Sequence, residues 1–121
     1  MRTIGWLLLG SAFGALAVSA FAAAPEAPLR GTLTLRGATL VDPPPDEAMD
    51  THAAFFVEGA AARLLYDALQ GPPADDACDG GGGSIKRSGN VACSRSADGA
   101  TYECHFAIDL ERGRVTLGAA C

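Results

Sequence analysis

Two histidines and four cysteines are the residues of this chain best suited to chemistry. His52 and His105 could bind a metal ion, or serve as acid and base in a small hydrolase. No closely spaced cysteine pair and no His-x-x-x-His pattern accompanies them, and Cys104 and His105, as neighbours on a strand, point to opposite faces. We therefore predict a non-catalytic protein without a metal site or cofactor. The alternative is an extracytoplasmic hydrolase or metal-binding protein that uses both histidines.

The cysteines predict structural cross-links. They lack the C-x-x-C spacing of a thiol oxidoreductase, and an even number of cysteines in an exported chain is typical of disulfide bonds. The sequence therefore predicts two disulfides, formed among Cys78, Cys93, Cys104 and Cys121.

The N-terminus predicts export. Arg2 is followed by an uncharged stretch over residues 4–24, in which leucines come first and small residues later, and Ala20-Phe21-Ala22 fits a signal-peptidase site. We expect residues 1–22 to be a cleaved signal peptide, which places the protein in the periplasm or the medium without a stable membrane anchor. The alternative is a retained anchor, because 21 uncharged residues could just span a bilayer.

Composition limits the remaining chain to one acidic domain. The 121 residues include 9 Lys and Arg against 14 Asp and Glu, a formal charge of −5. This balance argues against binding to nucleic acid or to anionic membrane surfaces. We expect a flexible tail at residues 23–28 and one disulfide-braced domain at residues 29–121.

Hydrophobic patterning predicts an α+β fold. Residues 32–35 alternate as a half-buried strand, and residues 53–57 form a short buried strand. A helix follows, and residues 72–83 and the glycine-rich run 79–88 are expected to be flexible. The helix is predicted from an apolar stripe at helical spacing, formed by Ala61, Leu64, Leu65, Ala68 and Leu69.

The C-terminal third predicts a three-stranded antiparallel meander. Tyr102 and Ile108 belong to an apolar series that alternates with polar residues, and glycine-containing loops at 97–100 and 111–114 separate the strands. The predicted domain is thus an antiparallel sheet of four to five strands with one packed helix.

The hairpin loops restrict the disulfide pairing. The first loop places Cys93 opposite Cys104, and the second places Cys121 opposite Cys104. We favour Cys93–Cys104 with Cys78–Cys121. The alternative is Cys104–Cys121 with Cys78–Cys93, since sequence does not decide connectivity.

Basic residues around the meander suggest recognition as the function. They could form a positive rim on an acidic body and bind an acidic envelope protein or an acidic glycan. We therefore predict an exported binding module, whose candidate partner-binding residues are Lys86, Arg87, Arg95, Arg112 and Arg114.

Overall fold

A computed structural model describes residues 22–119, which form one helix and seven strands. The predicted signal peptide lies almost wholly outside these residues, as does Cys121. The elements are β1 (Arg30–Arg36), β2 (His52–Glu58), α1 (Gly59–Ala68), β3 (Ala74–Asp75), β4 (Ser84–Ser88), β5 (Val91–Arg95), β6 (Tyr102–Asp109) and β7 (Arg114–Thr116).

The strands form one antiparallel sheet in the order β1-β2-β6-β5-β4-β3. The short β7 also pairs with β6, beyond the end of β5 and on the same side. The α+β class, the antiparallel sheet and the packed helix are confirmed. The prediction of four to five strands was too low, because β3 and β4 fall in segments that were expected to be flexible.

The strand β4 was missed because its sequence shows little apolar alternation. A two-residue loop, Gly89-Asn90, joins it to β5, since Ser88 pairs with Val91. Gly89 has a φ of +56°, which this tight hairpin requires at its first loop position. The Gly-Asn pair is therefore the local signal for a hairpin. Backbone hydrogen bonds to β5 stabilise β4, which buries few side chains.

The helix α1 packs against one end of a single sheet face, over Val57 and the Cys93–Cys104 pair. Its buried side chains are Ala61, Ala62 and Tyr66. The buried face is thus rotated relative to the predicted stripe: Leu64, Leu65 and Leu69 are only half-buried, and Ala68 is exposed.

Two contacts explain this rotation of the helix. The small side chain of Ala62 lets the helix approach the sheet, so that the Ala62 carbonyl oxygen lies 3.4 Å from Cys104 Sγ. The Tyr66 hydroxyl is 2.7 Å from Ser84 Oγ, and this hydrogen bond satisfies a polar atom in the core. Tyr66, which did not belong to the predicted stripe, is therefore at the centre of the buried face of α1.

Of the two hairpins of the meander, the first has the predicted register and the second does not. Cys93 lies opposite Cys104 as predicted, and the two buried sulfurs form a disulfide. The alternative pairing, with Cys104–Cys121 and Cys78–Cys93, is therefore wrong. Cys78 is not a free thiol within the described chain.

The second turn begins one residue earlier than predicted. Ile108 pairs with Val115, so the loop spans residues 110–113, and this register is not the one that would place Cys121 opposite Cys104. Asp109 causes this shift because its carboxylate accepts hydrogen bonds from the backbone amides of Glu111 and Arg112, each at 3.0 Å.

The disulfide indicates an oxidising compartment outside the cytoplasm. The single helix of residues 22–119 is too short to cross a bilayer.

Candidate functional site

An open groove of about 810 Å³ lies on the sheet face opposite the helix. One wall is the loop that contains Asp76 and Cys78, and the other is the C-terminal segment that contains Leu117 and Ala119. The floor comes from β4, β5 and β6, with the side chains of Ile85, Arg87, Ala92, Ser94, Glu103 and His105.

The strand register positions the polar groups of the floor. Arg87 pairs with Ala92, and Ala92 with His105, so the arginine and the histidine lie in one row two strands apart, about 10 Å between backbones. Ala92 lies between them, and its small side chain leaves space above the sheet for a ligand. In the next row, Ser94 pairs with Glu103, and Glu103 is therefore adjacent to His105 on the same face.

The first wall is ordered by hydrogen bonds, although residues 72–83 were expected to be flexible. Asp76 Oδ1 accepts a hydrogen bond from the Cys78 amide at 3.0 Å, and Asp79 Oδ2 accepts one from the Gly83 amide at 3.1 Å. The Asp76 amide also donates to the Gly83 carbonyl at 2.9 Å. Both carboxylates therefore have backbone partners, which reduces their capacity to bind a ligand cation.

The second wall is held against β6. Gly118 passes so close that a Cβ atom there would lie 2.4 Å from the Phe106 amide nitrogen, which excludes larger residues from this position. Arg36 donates a hydrogen bond across the sheet to the Leu117 carbonyl, and Asn90 Nδ2 donates to the Val115 carbonyl at 3.0 Å. The C-terminal segment is thus a fixed side of the groove.

The two histidines do not converge. His52 is buried, its Nδ1 lies 2.9 Å from Thr51 Oγ1, and it pairs with Asp109 on β6. His105 pairs with Phe56 instead, so the two imidazoles are attached four residues apart along neighbouring strands, or about 13 Å. They cannot ligate one metal ion, and residues 22–119 contain no cluster of three His, Cys, Asp or Glu suited to a metal.

The candidate basic residues are distributed over several surfaces. Lys86 donates to the Tyr66 and Leu69 carbonyls at the C-terminal end of the helix, at 3.2 and 3.4 Å. Arg112 binds Asp109 at 3.0 Å. Both side chains are therefore committed to the fold.

The other three basic residues have different surroundings. The Arg95 guanidinium lies 5.9 Å from the centre of the Tyr102 ring, and Arg95 also lines the groove. Arg87 and Arg114 are exposed and form no ion pair with any residue of the described chain. Of these two, only Arg87 lines the groove, so the groove has two arginines: Arg95 beside the Tyr102 ring, and Arg87 on the floor without an ion pair in the described chain.

Part of this site could be anticipated. Strand alternation places Glu103 and His105 on one face, opposite the cysteines. The groove itself was missed because both walls come from segments without a strong pattern, and because β4 brings Arg87 to the floor only through the unrecognised hairpin.

The groove, with Arg87, Glu103 and His105 on its floor, is thus the candidate site that the fold presents. Comparison of the chain with protein-family models, with curated proteins and with solved structures finds no match.

Proposed function

We propose that this chain is a small periplasmic or secreted binding protein, without catalytic activity, whose ligand site is the groove on the helix-free sheet face. The observation that supports this function most directly is the size of the groove together with the polar side chains on its floor. A volume of about 810 Å³ is within the range of ligand sites. Its openness to solvent suits binding of an extended molecule better than chemistry in a dry pocket.

We propose a second disulfide, between Cys78 and Cys121. Cys93 and Cys104 are bonded to each other, and Cys78 is not free, which leaves Cys121 as its partner within the chain. Cys78 belongs to one wall of the groove, and Cys121 follows closely after the other wall. A Cys78–Cys121 bond would therefore connect the two walls and fix their separation.

We propose an acidic glycan as the ligand class. The groove floor combines one cation, Arg87, with one acid, Glu103, and the imidazole of His105, whose ring centre lies 5.0 Å from that of Phe56. A uronic acid unit carries one carboxylate for the guanidinium and several hydroxyls that can donate to Glu103 and Ser94. An acidic protein is a weaker candidate, because the five basic residues do not form one surface.

Arg87→Ala tests this proposal. The protein should bind an oligogalacturonate more tightly than a neutral oligosaccharide of the same length in isothermal titration calorimetry. Loss of a charge-assisted hydrogen bond costs about 1.5–3 kcal/mol, so the variant should bind about 10- to 150-fold more weakly.

Arg63→Ala is the matched control, since Arg63 is an exposed arginine on the helix, away from the groove. It should bind like the wild type. Equal affinity of the wild type for both oligosaccharides, no measurable binding of either, or full binding by Arg87→Ala would each contradict the proposal.

A further inference from the structure

We propose that two copies of this chain associate through their β1 strands, which pair antiparallel and continue one sheet across a two-fold axis. The surface concerned is the outer edge of β1. It lies apart from the groove floor on β4, β5 and β6, so the dimer does not depend on the ligand proposed for the groove.

The outer edge of β1 offers a full row of backbone hydrogen-bonding groups. β1 pairs with β2 over all seven residues without a bulge, and no other strand of residues 22–119 pairs with it. The opposite edge of the sheet is β3, which has only two residues and carries Asp75. Short length and charge commonly protect sheet edges from association, and the centre of β1 has neither protection.

Residues 22–29, the described segment that precedes β1, do not pair with this edge. Residues 22–29 form no strand, and Ala27 packs against the core cluster beside the helix. Within residues 22–119, no strand is therefore left to pair with this edge, and we assign the pairing strand to a second copy of the chain.

Apolar side chains line this edge on the helix side of the sheet. Leu33 is 58% exposed and Leu35 is 51% exposed, although the alternating pattern predicted a half-buried strand. Leu33 pairs with Phe55, which stacks on Phe106 with ring centres 5.0 Å apart. The leucines therefore extend an apolar row from the interior to the edge, where a neighbouring strand would cover them.

The sequence of β1 is suited to pairing with itself. With the two-fold axis at Thr34, Leu33 of each copy lies opposite Leu35 of the partner subunit, so apolar side chains meet twice on the helix side. On the other side Thr34 meets its own copy and Arg36 meets Thr32. The basic residues at the two ends of β1 are thereby kept from facing each other, which a register centred on Leu33 would not achieve.

This geometry has a consequence for the groove. A two-fold axis perpendicular to the sheet leaves corresponding faces of both copies on the same side, so the two grooves open in one direction. A dimer could then bind two parts of one polymer, which raises the apparent affinity without new contacts.

Sedimentation velocity of the protein purified after export tests the dimer over a range of concentrations. The mass should rise from one chain to two. Leu33→Lys should remain one chain at every concentration, because a lysine at the pairing edge introduces charge into the apolar contact. Leu110→Lys is the matched control, since Leu110 is 52% exposed but lies in the β6–β7 turn, and it should dimerise like the wild type.

A cysteine placed at the axis tests the register directly. Thr34→Cys should form an intermolecular disulfide in air, whereas Thr32→Cys, which faces Arg36 of the partner subunit, should form much less. A wild type that keeps the mass of one chain at all concentrations would overturn the proposal. So would a dimer that Leu33→Lys leaves intact, or equal cross-linking at positions 32 and 34.

Discussion

Replacing both Cys93 and Cys104 with alanine should lower the melting temperature of the protein by about 12–24 °C, given about 4–8 °C per kcal/mol for a domain of this size. The bond joins residues 11 positions apart, and a loop near this length contributes about 3 kcal/mol by restricting the unfolded chain. Both cysteines are fully buried under the helix, so the double variant also loses packing against Ala62 and Tyr66. Thermal unfolding followed by circular dichroism measures the change.

The double substitution is preferable to either single one, because a lone Cys104 thiol could exchange with the disulfide that we propose for Cys78. Ser94→Ala is the control: Ser94 is next to Cys93 on β5 but points to the groove, and its loss should change stability by about 0.5 kcal/mol or less. A double variant that melts within a few degrees of the wild type would show that the bond contributes little to the core.

The hairpin between β5 and β6 was predictable because two independent signals agree. The parity of apolar residues along β6 fixes which side chains face the core, and the loop that contains Gly99 fixes the pairing. One register satisfies both conditions, and it places Cys93 opposite Cys104. The position of the helix after β2 followed equally from local sequence, since Gly59 and the spacing of apolar residues mark it.

The second turn shows where such reasoning fails. The glycine in the loop was recognised, but the Asp109 side chain closes the turn one residue early by accepting two backbone hydrogen bonds. Strand alternation alone would place Asp109 on the polar face of β6, in solvent, although it is buried. The Asp109 side chain competes with strand pairing for the backbone amides of the turn. The outcome depends on the local energies of these hydrogen bonds, which the alternation of apolar and polar residues does not predict.

The groove depends on contacts between distant parts of the chain. Its C-terminal wall is held by Arg36, which lies on the edge strand β1, and by Asn90 in the β4–β5 loop. Neither contact can be read from the sequence, because an arginine and an asparagine at strand ends ordinarily face solvent. The polar floor could be foreseen from strand parity, whereas the enclosing walls could not.

Asp109→Asn should reduce thermal stability at pH 7 by several degrees and make stability less sensitive to acid. Burial tends to raise the pKa of this carboxyl, but hydrogen bonds from the Arg112 amide, the Arg112 guanidinium and the Glu111 amide outweigh that effect and hold the pKa below its ordinary value. Asparagine can still accept the two amide hydrogen bonds, but it loses the charge that attracts Arg112.

The sign of the pH effect follows from the lowered pKa. A carboxyl with a lower pKa in the folded than in the unfolded state stabilises the fold above the unfolded value of about 4, and this contribution disappears as the pH falls through the folded pKa. The difference in melting temperature between wild type and Asp109→Asn should therefore be constant above about pH 5 and shrink below about pH 4. Thermal melts from pH 2 to pH 7 measure it.

Asp67→Asn is the matched control for Asp109→Asn, because Asp67 pairs with Arg63 at 3.8 Å on the exposed helix surface. Exposed ion pairs contribute little to stability, so this variant should have the same melting temperature as the wild type at every pH. A gap for Asp109→Asn that persists unchanged to pH 2 would mean that the amide alters packing, not charge. The early turn would then depend on the shape of the side chain at position 109, and Arg112 would be available for a role outside the fold.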